Sequence, residues 1–149
     1  MIVGFNFTRI SAEKLSLLKG KVDINNNVTI KNIEETDLSL GKQKQNALRF
    51  IFEFTSKYET SIGIITLDGE IFYIDEPKSV KDILESWKKS KTIKKELMAN
   101  ILNTILTKCN VQALILSQEI GLPPPIPMPK VNIVQPADKI TEKERGYIG

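Results

Sequence analysis

The stretch from Thr92 to Leu122, TIKKELMANILNTILTKCNVQALILSQEIGL, sets the strongest limit on what this chain can fold into. Apolar residues recur at Ile93, Leu97, Met98, Ile101, Leu102, Ile105, Leu106, Cys109 and Ala113, the spacing of one continuous helical face over several turns. Lys94, Lys95, Asn100, Asn103, Thr104, Thr107, Lys108 and Asn110 fall on the other side. Past Val111 the pattern closes up. Ala113, Leu114, Ile115 and Leu116 are consecutive, so the last turns are apolar nearly all round and need cover from two directions or from a second subunit. Gly121 supplies a left-handed terminator, and Pro123, Pro124 and Pro125 forbid resumption. At ~1.5 Å per residue such a helix would span roughly 40 Å, enough to brace a sheet.

The strands that such a helix could brace precede it. Val3, Phe5 and Phe7 alternate with polar residues in Ile2 to Arg9, a period-two run. Ser11 to Lys21 carries Leu15, Leu17 and Leu18 without regular period and reads as an extended or looped connection closed by Gly20. Val22 to Ile24 and Val28 to Ile30 alternate on either side of Asn25, Asn26 and Asn27. They are either one strand bulged at the asparagines or two strands joined by a tight turn. Glu34 to Lys44 is polar and contains Gly41, the composition of a turn-rich loop. Asn46 to Tyr58 is the best strand, with Leu48, Phe50, Phe52 and Phe54 on one face. Ser61 to Ile74 follows. Asp68-Gly69 within it is a hairpin signal, or else a glycine bulge in one long bent strand.

Ser79 is a natural N-cap for a short helix whose stripe is Val80, Ile83, Leu84 and Trp87, ending near Ser90. After the long helix, LPPPIPMP must be extended, because proline fixes φ and lacks a donor. The last segment, residues 135–149, is a polar tail. Strands in one block and helices in another spell an α+β fold: a four-stranded antiparallel sheet with a short and a long helix packed on one face, and a proline-rich extended C-terminal segment. One domain spanning residues 1–149 is expected at this length.

Composition narrows the chemistry. Histidine is absent and Cys109 is the only cysteine, which removes the usual transition-metal ligands and the Ser–His–Asp and Cys–His mechanisms from a single chain. No glycine-rich phosphate loop is present, since Gly4, Gly20, Gly41, Gly63 and Gly69 stand isolated. The expectation is a protein that is no enzyme and needs no metal, nucleotide or other cofactor. No run of about 18 apolar residues occurs, and Met1 to Phe5 lacks the flank of a signal peptide, so membrane insertion is not expected and the cytoplasm is the expected location. Seven lysines (78, 81, 88, 89, 91, 94 and 95) stand against Asp82 and Glu85 between the two helices. Such an elbow can attract phosphate backbones, but charge runs usually face solvent, and no arginine is among them.

The block from Arg49 to Val131 resembles the SecB family of export chaperones. The resemblance lies in LRFIFEF, then SIGIITLDGEIFYID with Gly69 and Ile71-Phe72, then a long helix ending in Gly121-Leu122-Pro123-Pro124, then Pro129-Lys130-Val131-Asn132-Ile133. Two features depart from that pattern. Pro136 to Gly149 is a poor second helix, and the net charge is +3 where family members are acidic and dock the export ATPase SecA through sheet carboxylates. The resemblance implies an ATP-independent holdase that binds non-native polypeptide through apolar grooves and assembles as a dimer or dimer of dimers. A translocation component is the further partner it would suggest.

Candidate peptide-binding residues are Leu15, Leu17, Leu18, Ile126, Met128 and Ile133, apolar side chains in stretches unlikely to be regular structure. Candidate oligomer-interface residues are Leu114, Ile115, Leu116 and Cys109, at the greasy end of the long helix, although Cys109 also fits a buried core thiol. Ile51, Val22, Ile24, Ile62 and Ile64 are candidates for further apolar surface on the uncovered sheet face or at an edge. Two other readings stay open: a nucleic-acid- or ribosome-associated protein using the lysine elbow, and a structural subunit whose apolar surface is filled by a fixed partner.

Overall fold

The computed structural model describes residues 1–18 and 20–129. Its elements run β1 (Ile2–Lys14), β2 (Asp23–Leu40), β3 (Gln43–Glu59), β4 (Gly63–Ile74), α1 (Pro77–Ser90) and α2 (Lys95–Glu119). The four strands form one antiparallel sheet in the order β1-β4-β3-β2. The α+β architecture is the expected one. The polar tail, together with Val131 and Ile133, lies outside the described residues.

Cross-strand partners share a face, so the register sorts the side chains. Phe50, Phe52, Phe54 and Tyr58 of β3 stand opposite Ile33, Ile30, Val28 and Ile24 of β2 and opposite Ile71, Gly69, Leu67 and Gly63 of β4. That face meets the helices. Val80, Ile83 and Trp87 of α1, and Ile101, Ile105, Cys109 and Ala113 of α2, join it in one core. The buried residues of α2 recur every fourth position from Ile101 to Ser117. Against a 3.6-residue turn this stripe drifts by about 40° per step, so it winds around the helix as the sheet beneath it twists.

Gly69 explains itself by proximity. A Cβ there would sit 2.6 Å from the Asn6 carbonyl oxygen and would collide with the Phe52 ring. Asp68-Gly69 is therefore no hairpin: β4 runs through it as one strand, the single-strand alternative, but the glycine is not the bulged residue. The register shift falls on the partner strand, where the extra residue is Thr8 of β1, between Phe7 opposite Gly69 and Arg9 opposite Asp68.

Several boundaries differ from the sequence reading. β1 continues through Ser11–Lys14, because those residues ladder onto Thr66–Gly63. The three asparagines neither turn nor bulge; they pair in register with Lys57, Ser56 and Thr55, and the irregularity in β2 falls between Ile30 and Asn32. Glu34 to Leu40 is strand rather than loop, paired to Arg49–Gln43, and the chain reverses only at Gly41 (φ 68°) and Lys42. Ser79 is not the cap of α1. Glu76 holds that position and Pro77 opens the helix, with the Glu76 N–H donating to Asp75 Oδ1 at 2.7 Å. α2 begins at Lys95 rather than Thr92, and it terminates as expected before left-handed Gly121.

Candidate functional site

The connection from β1 to β2 must pass the ends of β4 and β3, because its two strands are the opposite edges of the sheet. Leu15 and Ser16 donate their backbone N–H groups to the Ile62 carbonyl oxygen at 2.8 and 3.3 Å, which fixes where the crossover leaves the ladder. Beyond that anchor the side chains face outward. Leu15 is 57% exposed, Leu17 76% and Leu18 39%. Burying such aliphatic groups is worth about 1.5–3 kcal/mol each, so three within four residues of one loop make a costly exposed apolar surface.

The proline segment arrives at the same end of the sheet. Leu122 is buried and donates its N–H to the Ser117 carbonyl oxygen at 2.8 Å, and its methyl groups lie where a side chain at Gly63 would stand. From there the segment crosses β3 and β2. The Tyr58 hydroxyl donates to the Pro123 carbonyl oxygen at 2.6 Å, and the Asn26 amide donates to the Pro125 carbonyl oxygen at 2.7 Å. Ser56 Oγ donates to Asn26 Oδ1 at 2.5 Å and so orients that amide. Burial pushes the Tyr58 phenol up to about 12, keeping it protonated as a donor. Ile126 is half-buried and Met128 is 43% exposed.

Five of the six predicted peptide-binding residues therefore flank one end of the sheet, on two segments with little regular structure; Ile133 lies outside the described residues. Tyr58, Asn26 and Ser56 were not among the sequence candidates. Their only signal was a tyrosine at the end of an apolar strand and a polar run that read as either a bulge or a tight turn.

The predicted interface residues divide. Ile115 is 46% exposed and its neighbour Val111 60%, on the side of α2 away from the sheet. Leu114 is half-buried, and Leu116 packs against the chain's own core. Cys109 is corrected: it is wholly buried against the sheet and offers no surface to a second subunit. Burial pushes its thiol up to about 12. Of the candidates for extra apolar surface, Ile51 and Ile64 lie on the face opposite the core. Ile62 is buried, and Val22 and Ile24 pack against the core.

That opposite face is charged. Arg49 bridges Glu34 and Glu70, the second at 3.6 Å, and Lys31 meets Glu53 at 3.0 Å. The hydrogen bond from Arg49 holds the Glu34 carboxyl below its usual range. All seven lysines of the elbow are exposed, and Lys91 Nζ lies 5.2 Å from the Trp87 ring centroid. A cavity of about 560 Å³ opens at the far end of the sheet, with Tyr73, Asp75, Asp82, Ile83, Lys94 and Leu97 among its lining. It contains none of the predicted peptide-binding residues. Among the described residues no cluster of three or more potential metal ligands occurs, and no helix is long and apolar enough to cross a membrane.

The fold is thus an antiparallel α+β sheet with its helices on one face and a leucine-rich crossover beside a proline strap. No family model and no curated protein matches the chain. Among solved structures it is similar to the Mycobacterium tuberculosis Rv1957 SecB-like chaperone in complex with a ChAD peptide from the Rv1956 HigA1 antitoxin. The match has 10% identity, covers 91% of this chain and 92% of that one, and has a TM-score of 0.47.

Proposed function

We propose that this protein is an ATP-independent holdase, a binding protein rather than an enzyme, that holds non-native polypeptide on the apolar surface at the crossover end of its sheet. The observation that carries the reading is the outward display of Leu15, Leu17 and Leu18 at the end of the sheet where the strap carrying Met128 crosses. Several shallow aliphatic contacts give useful affinity without demanding a particular guest sequence, which is what a holdase needs. Methionine suits such a surface because its thioether adapts to varied partners. The ordered motifs of the SecB resemblance, from LRFIFEF to Gly121-Leu122-Pro123-Pro124, support the same reading.

Under this proposal the protein acts in the cytoplasm as an even-numbered homo-oligomer, a dimer or dimer of dimers, with Val111 and Ile115 covered by a second copy. Delivery of clients for export, through a translocation component, is the finer step that the resemblance adds.

The test is suppression of aggregation. A reduced, unfolded globular protein is diluted into buffer with and without the full chain, in the absence of nucleotide. Stoichiometric suppression is the expected result. Aggregation at the unassisted rate with the chain in excess would overturn the proposal.

A further inference from the structure

The cavity at the far end of the sheet is framed by two helix faces that meet across it without filling it. Ser79, Asp82, Ile83 and Ser86 line it from α1, and Ile93, Glu96, Leu97 and Asn100 line it from the turn into α2. Both sets follow the i, i+3, i+4, i+7 spacing that places residues on one side of a helix. α1 packs against β2 and β3, while α2 packs against β4 and β2, so the two helices rest on different parts of the sheet. Where large side chains would close the gap, α1 carries Ser79 and Ser86. The space left is about 560 Å³, within the ~300–1,000 Å³ of small-molecule sites. Ser86 Oγ donates to the Thr92 carbonyl oxygen at 2.7 Å and ties the connecting turn to α1. Ile83 belongs to the core, and Ile93 and Leu97 pack against it, so the aliphatic walls are anchored.

Three carboxylates line this space against one lysine, Lys94. Asp75 is already engaged, accepting from the Tyr73 hydroxyl at 3.0 Å and from the Glu76 N–H at 2.7 Å. Asp82 of α1 and Glu96 of α2 are not: among the described residues neither makes an ion pair, although seven lysines stand on the same elbow. We infer that this cavity binds a small aliphatic ammonium ion, its hydrocarbon stem against Ile83, Ile93 and Leu97 and its head between Asp82 and Glu96. The head brings only donors to carboxylates that can only accept, and the stem takes the aliphatic walls out of water. An alkyl carboxylate offers the same stem but adds a negative charge to the three already there. The space is bounded by α1, α2 and the end of β4, which suits a short stem better than a polypeptide running through. The inference is independent of the holdase reading, since the cavity contains none of the residues assigned to clients.

The test is calorimetric titration of the full chain with n-octylammonium, below its micellar concentration, against three matched probes. Octanoate reverses the charge, octan-1-ol removes it, and spermidine keeps it without a free hydrocarbon end. The amine is expected to bind saturably, and each of the others at least about tenfold more weakly. The chain's net charge of +3 by itself favours octanoate, so a preference for the amine belongs to the site. Asp82→Asn with Glu96→Gln keeps the shape and removes both charges, and should weaken amine binding about tenfold or more. Ser79→Leu should fill the space and abolish binding, with the melting temperature held. If that chain does not fold, the charge-removing double variant decides alone. No saturable binding of the amine overturns the inference, as does octanoate binding equally well. Full amine affinity in either folded variant also overturns it, since the amine would then sit elsewhere, for example on the crossover leucines. A lysine–leucine peptide that displaces the amine and binds more tightly than it would replace the small ligand with a protein partner and overturn the assignment.

Discussion

The hydroxyl of Tyr58 donates to the carbonyl oxygen of Pro123 across sixty-five residues of sequence, at 2.6 Å. This bond ties the segment after the long helix to the end of the central strand. Replacing Tyr58 with Phe keeps the ring and removes the donor. The expected cost is about 1 kcal/mol in urea unfolding, the usual net worth of one intramolecular hydrogen bond. A loss of several kcal/mol would mean that the hydroxyl supports the core itself and not only the strap.

Alkaline pH should act on the same residue. Burial raises the Tyr58 phenol in the folded state from its ordinary 10 to about 12. Between those values the unfolded chain has released the proton and the native chain retains it. Its contribution is therefore complete below pH 10 and is lost as pH rises through 12. Cys109, raised to about 12, acts in the same direction from a lower starting point. Unfolding free energies at pH 9 and pH 11 should differ less in Y58F than in the unsubstituted chain. An equal fall in both would show that Tyr58 takes no part.

Gly69 is predicted to be irreplaceable. Gly69→Ala forces a methyl group against the Asn6 carbonyl oxygen and the Phe52 ring at the centre of the sheet, and overpacking of this kind costs about 1–3 kcal/mol. Thermal unfolding at unchanged midpoint would contradict the register that places Gly69 between Phe7 and Phe52.

The two sides of α2 should respond differently. Ile105→Ala empties a site with no solvent exposure and should cost about 2–5 kcal/mol. Ile115→Ser alters a side chain that is 46% exposed, so the single chain should lose little. Its expected effect is on assembly, read as a smaller mass by light scattering coupled to size exclusion. An unchanged even-numbered oligomer would move the interface away from this face.

Much of the architecture was legible in the sequence because burial imposed its period on it. The alternation of Leu48, Phe50, Phe52 and Phe54, and the helical stripe through Ile101 and Ile105, gave β3 and α2 without ambiguity. The misread parts are those that the backbone ladder holds rather than apolar burial. Glu34 to Leu40 and Ser11 to Lys14 lie on edge strands, where polar side chains face solvent and only the partner strand dictates extension. Asn26 illustrates the same limit at the site. Beside two further asparagines it has the composition of a turn, and its use as a donor appears only once pairing with Ser56 places it under the strap. Leu15, Leu17, Leu18 and Met128 could be picked out because apolar side chains in aperiodic stretches have no core to belong to.

The most direct measurement of the central claim is client affinity in the double variant Leu17→Ser with Met128→Ser. Both side chains are substantially exposed, so the melting temperature should stay within about 2 °C of the unsubstituted chain. Affinity for a labelled, reduced and carboxymethylated unfolded protein, read by fluorescence anisotropy, should fall about tenfold or more, as expected when two aliphatic contacts are lost. Undiminished affinity in a folded double variant would contradict the account. A melting temperature lowered by many degrees would contradict it equally, since the two residues would then belong to the core rather than to a surface for guests.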